Sequence, residues 1–199
     1  MSTNLTRTNI MNLALRELGN YRIADWEEDS TAAEAGRDVW DQVLRRALAA
    51  HNWRFATRQV QLQRASSAPN ARYAYAYTLP EDMMKMGPVA DNDELDPMLT
   101  QYEVIELGEK LVLCTSYESV YLEYVYEHTT VGRWPAHFID VMAAMLALAL
   151  VPSLKTNRGD FDKLVERRLA SARSIDSQQR PPRRPPLGSW ARSMRGNIR

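Results

Sequence analysis

Cysteine is almost absent from the chain: Cys114 is the only one in 199 residues. That excludes an intrachain disulfide and any cluster of thiolates around a metal. A lone strand cysteine reads instead as a small buried hydrophobe. Histidine is nearly as scarce, and His51, His128 and His137 match no zinc spacing such as HExxH. His51, near the end of a helix, reads as a local cap, and His137 as a packing polar residue. Phosphate-binding loops of the GxxxxGK[ST] or GxGxxG kind are missing, and so is a GxSxG elbow for a nucleophile. Paired carboxylates of the glycosidase kind need no fixed spacing, and nothing in the chain points to a pair. The first residues, MSTNLTRTN, lack a basic start followed by an apolar core, so no signal peptide is expected. The longest apolar run, 141–152, is too short to cross a bilayer and is expected to be a buried helix of a soluble protein.

Net charge is also missing, with 25 basic residues against 25 acidic ones. The charges are nevertheless segregated. Arg180, Arg183, Arg184, Arg192, Arg195 and Arg199 form a C-terminal block with no acid among them. Asp25, Glu27, Glu28, Asp29, Glu34, Asp38 and Asp41 face only Arg37, and from residue 81 to 109 Lys85 is the only base. Such asymmetry suits head-to-tail assembly or an acidic partner, and equally an ordinary solvated surface. Neither Glu27-Glu28-Asp29 nor DNDELD at 91–96 has the spacing of a calcium loop.

What is present is a clear order of elements. Ile10, Met11, Leu13, Ala14, Leu15 and Leu18 recur at helical spacing over residues 6–18, and Gly19 supplies a stop. Ile23 and Trp26 read as inward plugs in the loop that follows. A long helix is expected over 31–51, with Thr31 and Glu34 at capping-box spacing and Val39, Trp40, Val43, Leu44, Ala47 and Leu48 as its stripe. Gly36 in that stripe suggests close approach by the first helix. Between about 58 and 127 the period changes to two: Val60 and Leu62 against glutamines, then Tyr73, Tyr75 and Tyr77 against alanines, a hairpin around Gly108-Glu109, and Tyr121 to Tyr126. Alanine neighbours favour cross-strand packing of the tyrosines over base stacking. Helices are expected again over 135–151 and 160–176. The third is apolar on nearly every side and so needs a central position, a subunit interface, or both. The fourth carries Phe161, Leu164, Val165, Leu169, Ala172 and Ile175 as its stripe.

The fold class is therefore α+β: a body of about four helices over 1–178 with a small inserted antiparallel sheet, then an extended arm over 179–199. Its prolines exclude a helix. Its isolated apolar residues, Leu187, Trp190, Met194 and Ile198, read as docking anchors that order on a partner.

LALRELG at 13–19, the long helix from 31, HNWRFA at 51–56 and YTLPEDMMKM at 77–86 occur in a distinctive order. In this order the chain resembles the head-to-tail adaptor (connector) proteins of tailed bacteriophages, particularly the tail tubular protein A type of short-tailed phages. The resemblance rests on Leu15, Leu18, Gly19, Ala33, Ala35, Trp53, Phe55, Leu79, Pro80 and Asp82. It is good over about 8–86, agrees in kind over 121–175, and departs more over 87–120. It implies a structural virion protein, assembled in the bacterial cytoplasm, without catalytic residues, cofactor, metal or membrane contact. It also implies a dodecameric ring bound to the portal protein above and to a tail tube or nozzle protein below, with DNA passing through the lumen unbound. The arm, with Arg183, Arg184, Leu187, Trp190, Arg192, Met194 and Arg195, would clasp the portal. Trp40, Trp53, Phe55, Leu79 and Pro80 would form the core and the helix–sheet joint. Acids from 25–41 or 81–109 would line the channel. Two other readings stay open: a small virion hydrolase with a carboxylate-based site, and a nucleic-acid-binding module using the arginine-rich tail. The even net charge weighs against the latter.

Overall fold

The structure, a computed structural model, describes residues 5–65, 72–155, 157 and 159–179. The arm from 180 onward and the loop centred on 66–71 lie outside the described residues. The class is α+β, with four α-helices: α1 (Arg7–Glu17), α2 (Thr31–Ala49), α3 (Ala136–Leu150) and α4 (Phe161–Gln178). The strands are β1 (Thr57–Gln61), β2 (Gln63–Arg64), β3 (Tyr75–Thr78), β4 (Met83–Ala90), β5 (Glu103–Leu107), β6 (Lys110–Thr115) and β7 (Tyr121–Tyr126).

The single inserted sheet resolves into two antiparallel ones, ordered β1-β7-β4 and β2-β3-β6-β5. The chain changes sheets at Leu62, whose N–H bonds the Val120 carbonyl between β1 and β2. Strand alternation then sets three layers. Leu122 and Tyr124 of β7 meet Tyr77 of β3 and Leu113 of β6 in a core between the sheets. Val125, on the opposite side of β7, joins the helical core. The order is thus helices, three-stranded sheet, four-stranded sheet. Tyr77 is only 2% exposed and its hydroxyl donates to the Tyr117 carbonyl at 2.8 Å, so its face is packed rather than offered to a base. Ala76, Val112 and Cys114 form a small cluster on the far face of the second sheet. Burial, with Glu103 adding to it, raises the Cys114 thiol above its ordinary pKa.

Each helix has a legible start and stop, with some differences from expectation. Thr6 caps α1 through a reciprocal box with Asn9. Gly19 (φ 67°) closes it: its N–H bonds the Arg16 carbonyl, and that of Asn20 bonds Leu15, which is a Schellman ending that only positive φ allows. The cap of α2 is Ser30 rather than Thr31, accepting from the Ala33 N–H at 3.4 Å. That helix stops at Ala49, short of His51. Trp53 Nε1 donates to the Ala47 carbonyl at 2.8 Å and Arg173 to that of Ala50 at 2.7 Å, so side chains satisfy its last carbonyls. A Cβ on Gly36 would lie 2.8 Å from Met11 Cε, so glycine there does admit α1. Ile23 is buried, held by a two-way bond between its backbone and the Asn12 amide, whereas Trp26 is half-buried, edge-on to Trp40.

Helix α3 takes the central position, with α1, α2 and α4 all packed on it. Its Ala144 is 2% exposed. Ala144→Trp forces a large ring into a filled interior and is expected to destabilise by about 1–3 kcal/mol. Thermal melting of the purified variant checks this; an unchanged melting temperature contradicts the placement.

Candidate functional site

The segment joining α2 to β1 carries Trp53 and Phe55 into the helical core. Trp53 is fully buried, and its ring meets Phe138 of α3 edge-on at 5.2 Å. Phe55 is half-buried and packs on Phe138 at 4.8 Å and His128 at 5.4 Å. Trp40 stacks on Trp134 at 6.2 Å. These aromatics tie α2, α3 and the start of β1 into one cluster.

Beside that cluster lies a group that periodicity did not reveal. Asp176, in the last turns of α4, is 1% exposed. Its carboxylate lies 3.3 Å from His51 Nε2 and 3.7 Å from His137 Nε2, and it accepts the Arg54 backbone N–H at 3.1 Å. His51, expected as a local cap, is thus also a partner of a residue far along the chain. The inward stripe of α4 ends on Asp176 rather than Ile175, which is 42% exposed. The spacing Val165, Leu169, Ala172, Asp176 is the signal that was available, overlooked because its last member is charged. Asp176 thus links the end of α4 to the α2–β1 joint through the Arg54 amide and lies close to two imidazoles. Among the described residues, no group of three or more His, Cys, Asp or Glu is arranged to hold a metal.

At the sheet side, Asp82 organises a second joint. It bonds Arg58 of β1 at 2.8 Å and the Tyr124 hydroxyl of β7 at 3.1 Å, while its carbonyl accepts the Glu127 N–H at 2.8 Å. Arg58 also lies 3.5 Å from the Tyr126 ring centroid, a cation–π contact. Burial first, and Asp82 second, push the Tyr124 phenol above its ordinary range. Glu127 in turn pairs with Arg45 of α2 at 2.9 Å, tying the helices to the strand end. Leu79 is buried in the core between the sheets, and Pro80 is half-buried beside it. The residues expected to dock on a portal, Arg183, Arg184, Leu187, Trp190, Arg192, Met194 and Arg195, lie outside the described residues.

His128 links the two joints. It is 6% exposed, and Trp134 Nε1 donates both to its Nδ1 at 3.2 Å and to its carbonyl at 3.1 Å. Burial, aided by the charges of Arg133 and Arg58, lowers its pKa below the ordinary histidine value. A histidine depressed in the folded state binds fewer protons than its unfolded counterpart. Its stabilising contribution is present above the unfolded value, about 6.5, and is lost as pH falls through the folded value. The wild type is expected to lose more melting temperature between neutral and mildly acidic pH than His128→Asn, which cannot titrate. Parallel pH–melting curves for the two proteins contradict this.

No membrane-crossing helix occurs among the described residues: none is long and apolar enough. No protein-family model matches the chain, and comparison with curated proteins finds no match.

Proposed function

We propose that this protein is a structural head-to-tail adaptor of a tailed phage virion. It forms a ring between the portal and the tail or nozzle protein, extends the DNA channel and catalyses nothing. The observation that carries this reading is where the residues of the resemblance fall. Leu15, Leu18 and Gly19 end α1, Trp53 and Phe55 join α2 to β1, and Leu79, Pro80 and Asp82 lead into β4. They stand where one element ends or the next begins. A part that must stay rigid while a genome passes through it needs such joints more than it needs an active site. Burial of Asp176 and Tyr77 favours structural work for both over catalysis or base stacking.

The test is assembly on a portal. Purified protein is mixed with the portal protein encoded by the same genome and imaged by cryo-electron microscopy. A ring seated beneath the portal, with acids of the 25–41 or 81–109 regions toward its channel, is the expected result. A protein that stays monomeric and does not sediment with the portal overturns the reading.

A further inference from the structure

Helices α3 and α4 leave a half-open groove with a volume of about 330 Å³ along their contact. Its floor includes His137 and Ala172, and its walls include Leu164 and the exposed Ile175. Arg167 and Arg168 also line it, against the single acid Asp140. Arg167 commits its Nε–H to the Lys163 carbonyl at 3.2 Å, and Arg168 reaches Glu17 and Asp140 only at 3.9 Å. A guanidinium carries five N–H donors in a planar fork, so both arginines retain capacity for a carboxylate.

A matching feature occurs elsewhere on the same chain. The 91–98 loop, DNDELDPM, holds Asp91, Asp93, Glu94 and Asp96 with no base among them. It is shaped from within. Leu95 and Leu99 are buried, the Asn92 amide donates to the Asp96 carbonyl at 3.0 Å, and Gln59 Nε2 donates to the Asp93 carbonyl. These anchors leave the acids outward, with Met98 55% exposed beside them. A loop already fixed in shape loses little entropy on docking.

We propose that the α3–α4 groove receives the 91–98 loop of a second copy of this chain, with its acids on Arg167 and Arg168 and Met98 against Ile175. Opposite charge and an apolar contact recur on both surfaces. The arginine-rich sequence that follows α4 has the same sign as Arg167 and Arg168, so its charge does not complement theirs. Loop and groove are different patches, so the contact is heterologous and propagates head to tail, the geometry that closes into rings. The proposal rests on the adaptor reading in that copies must associate side by side.

The experiment compares four full-length proteins by sedimentation velocity, alone and with portal: wild type, D93K/E94K, R167E/R168E, and the combination. Each reversal alone is expected to weaken association by at least about tenfold, and the combination to restore it. Because the Asp93 anchor is its backbone carbonyl, the loop variant keeps its fold, which circular dichroism verifies. Should R167E/R168E unfold, M98C/I175C decides: mild oxidation is expected to yield covalent dimers and higher multimers, and Cys114, fully buried, stays out of the reaction. Association of the wild type that survives both reversals, or no restoration by the combination, or no cross-link, overturns the loop–groove contact while leaving the adaptor reading intact. A wild type that remains monomeric with portal present overturns both.

Discussion

Trp53→Ala is expected to cost about 3–5 kcal/mol of folding stability, a large share of what a single domain commands. The ring is fully buried, in contact with Phe138, Phe55, His51 and His137. Its removal opens a cavity that α3 and the joint itself would have to collapse to fill. It also takes away the indole N–H bond to the Ala47 carbonyl at the end of α2, which then keeps the Ala50 N–H at 3.3 Å. The loss therefore combines a packing deficit with a hydrogen-bonding one at the point where α2 turns toward β1. Urea denaturation measures it as a lowered midpoint. Phe55→Leu, at a half-buried position, is expected to lose much less. A loss below about 1 kcal/mol for Trp53→Ala would show that the joint is not where the helical core is secured.

Removing residues 180–199 is expected to leave a folded body and abolish or greatly weaken attachment to the portal. The removed segment carries six arginines, four prolines and the apolar residues Leu187, Trp190, Met194 and Ile198. Prolines restrict the free chain and so lower the cost of ordering it. Arginines supply paired hydrogen bonds to carboxylates, and a buried tryptophan is the residue type that most often dominates an interface. Anchors must provide the net gain, since charge alone is screened and ordering is costly. Trp190→Ala is accordingly expected to cost more affinity than Arg199→Ala at the chain end. Calorimetric titration onto portal at moderate salt measures both. Equal affinities for the full-length and shortened proteins rule out the clasp.

Local patterns were legible in the sequence wherever one residue type does one job. Gly19 marked a helix end because the backbone there needs positive φ. Gly36 marked a close approach because Met11 occupies the space of its missing Cβ. The apolar wrap of α3 announced a helix surrounded by others. Pairing of strands was less legible. β1 and β2 are nearly continuous in sequence, yet they belong to different sheets, a choice settled by their partners: the distant β7 for β1 and the much nearer β3 for β2. Charged residues with buried roles were least legible. Asp176 looks solvent-directed in a polar helix end, and only the fold shows His51 and His137 converging on it. Asp82 was noticed through a short motif, but its hold on Arg58 and Tyr124 is a tertiary fact.

The position of Asp176 has a mechanical consequence. It lies two residues before the last residue of α4, and the chain beyond Gln179 continues into the arginine-rich segment. A pull on that segment reaches the carboxylate within one helical turn. There it meets His51 and the Arg54 amide, which belong to the α2–β1 joint, and His137, which belongs to α3. Tension is thereby shared across the helical core at the outset instead of peeling α4 away turn by turn. On the adaptor reading, this end of α4 is expected to act as a rivet for the arm, anchored to the α2–β1 joint and to α3 by one side chain.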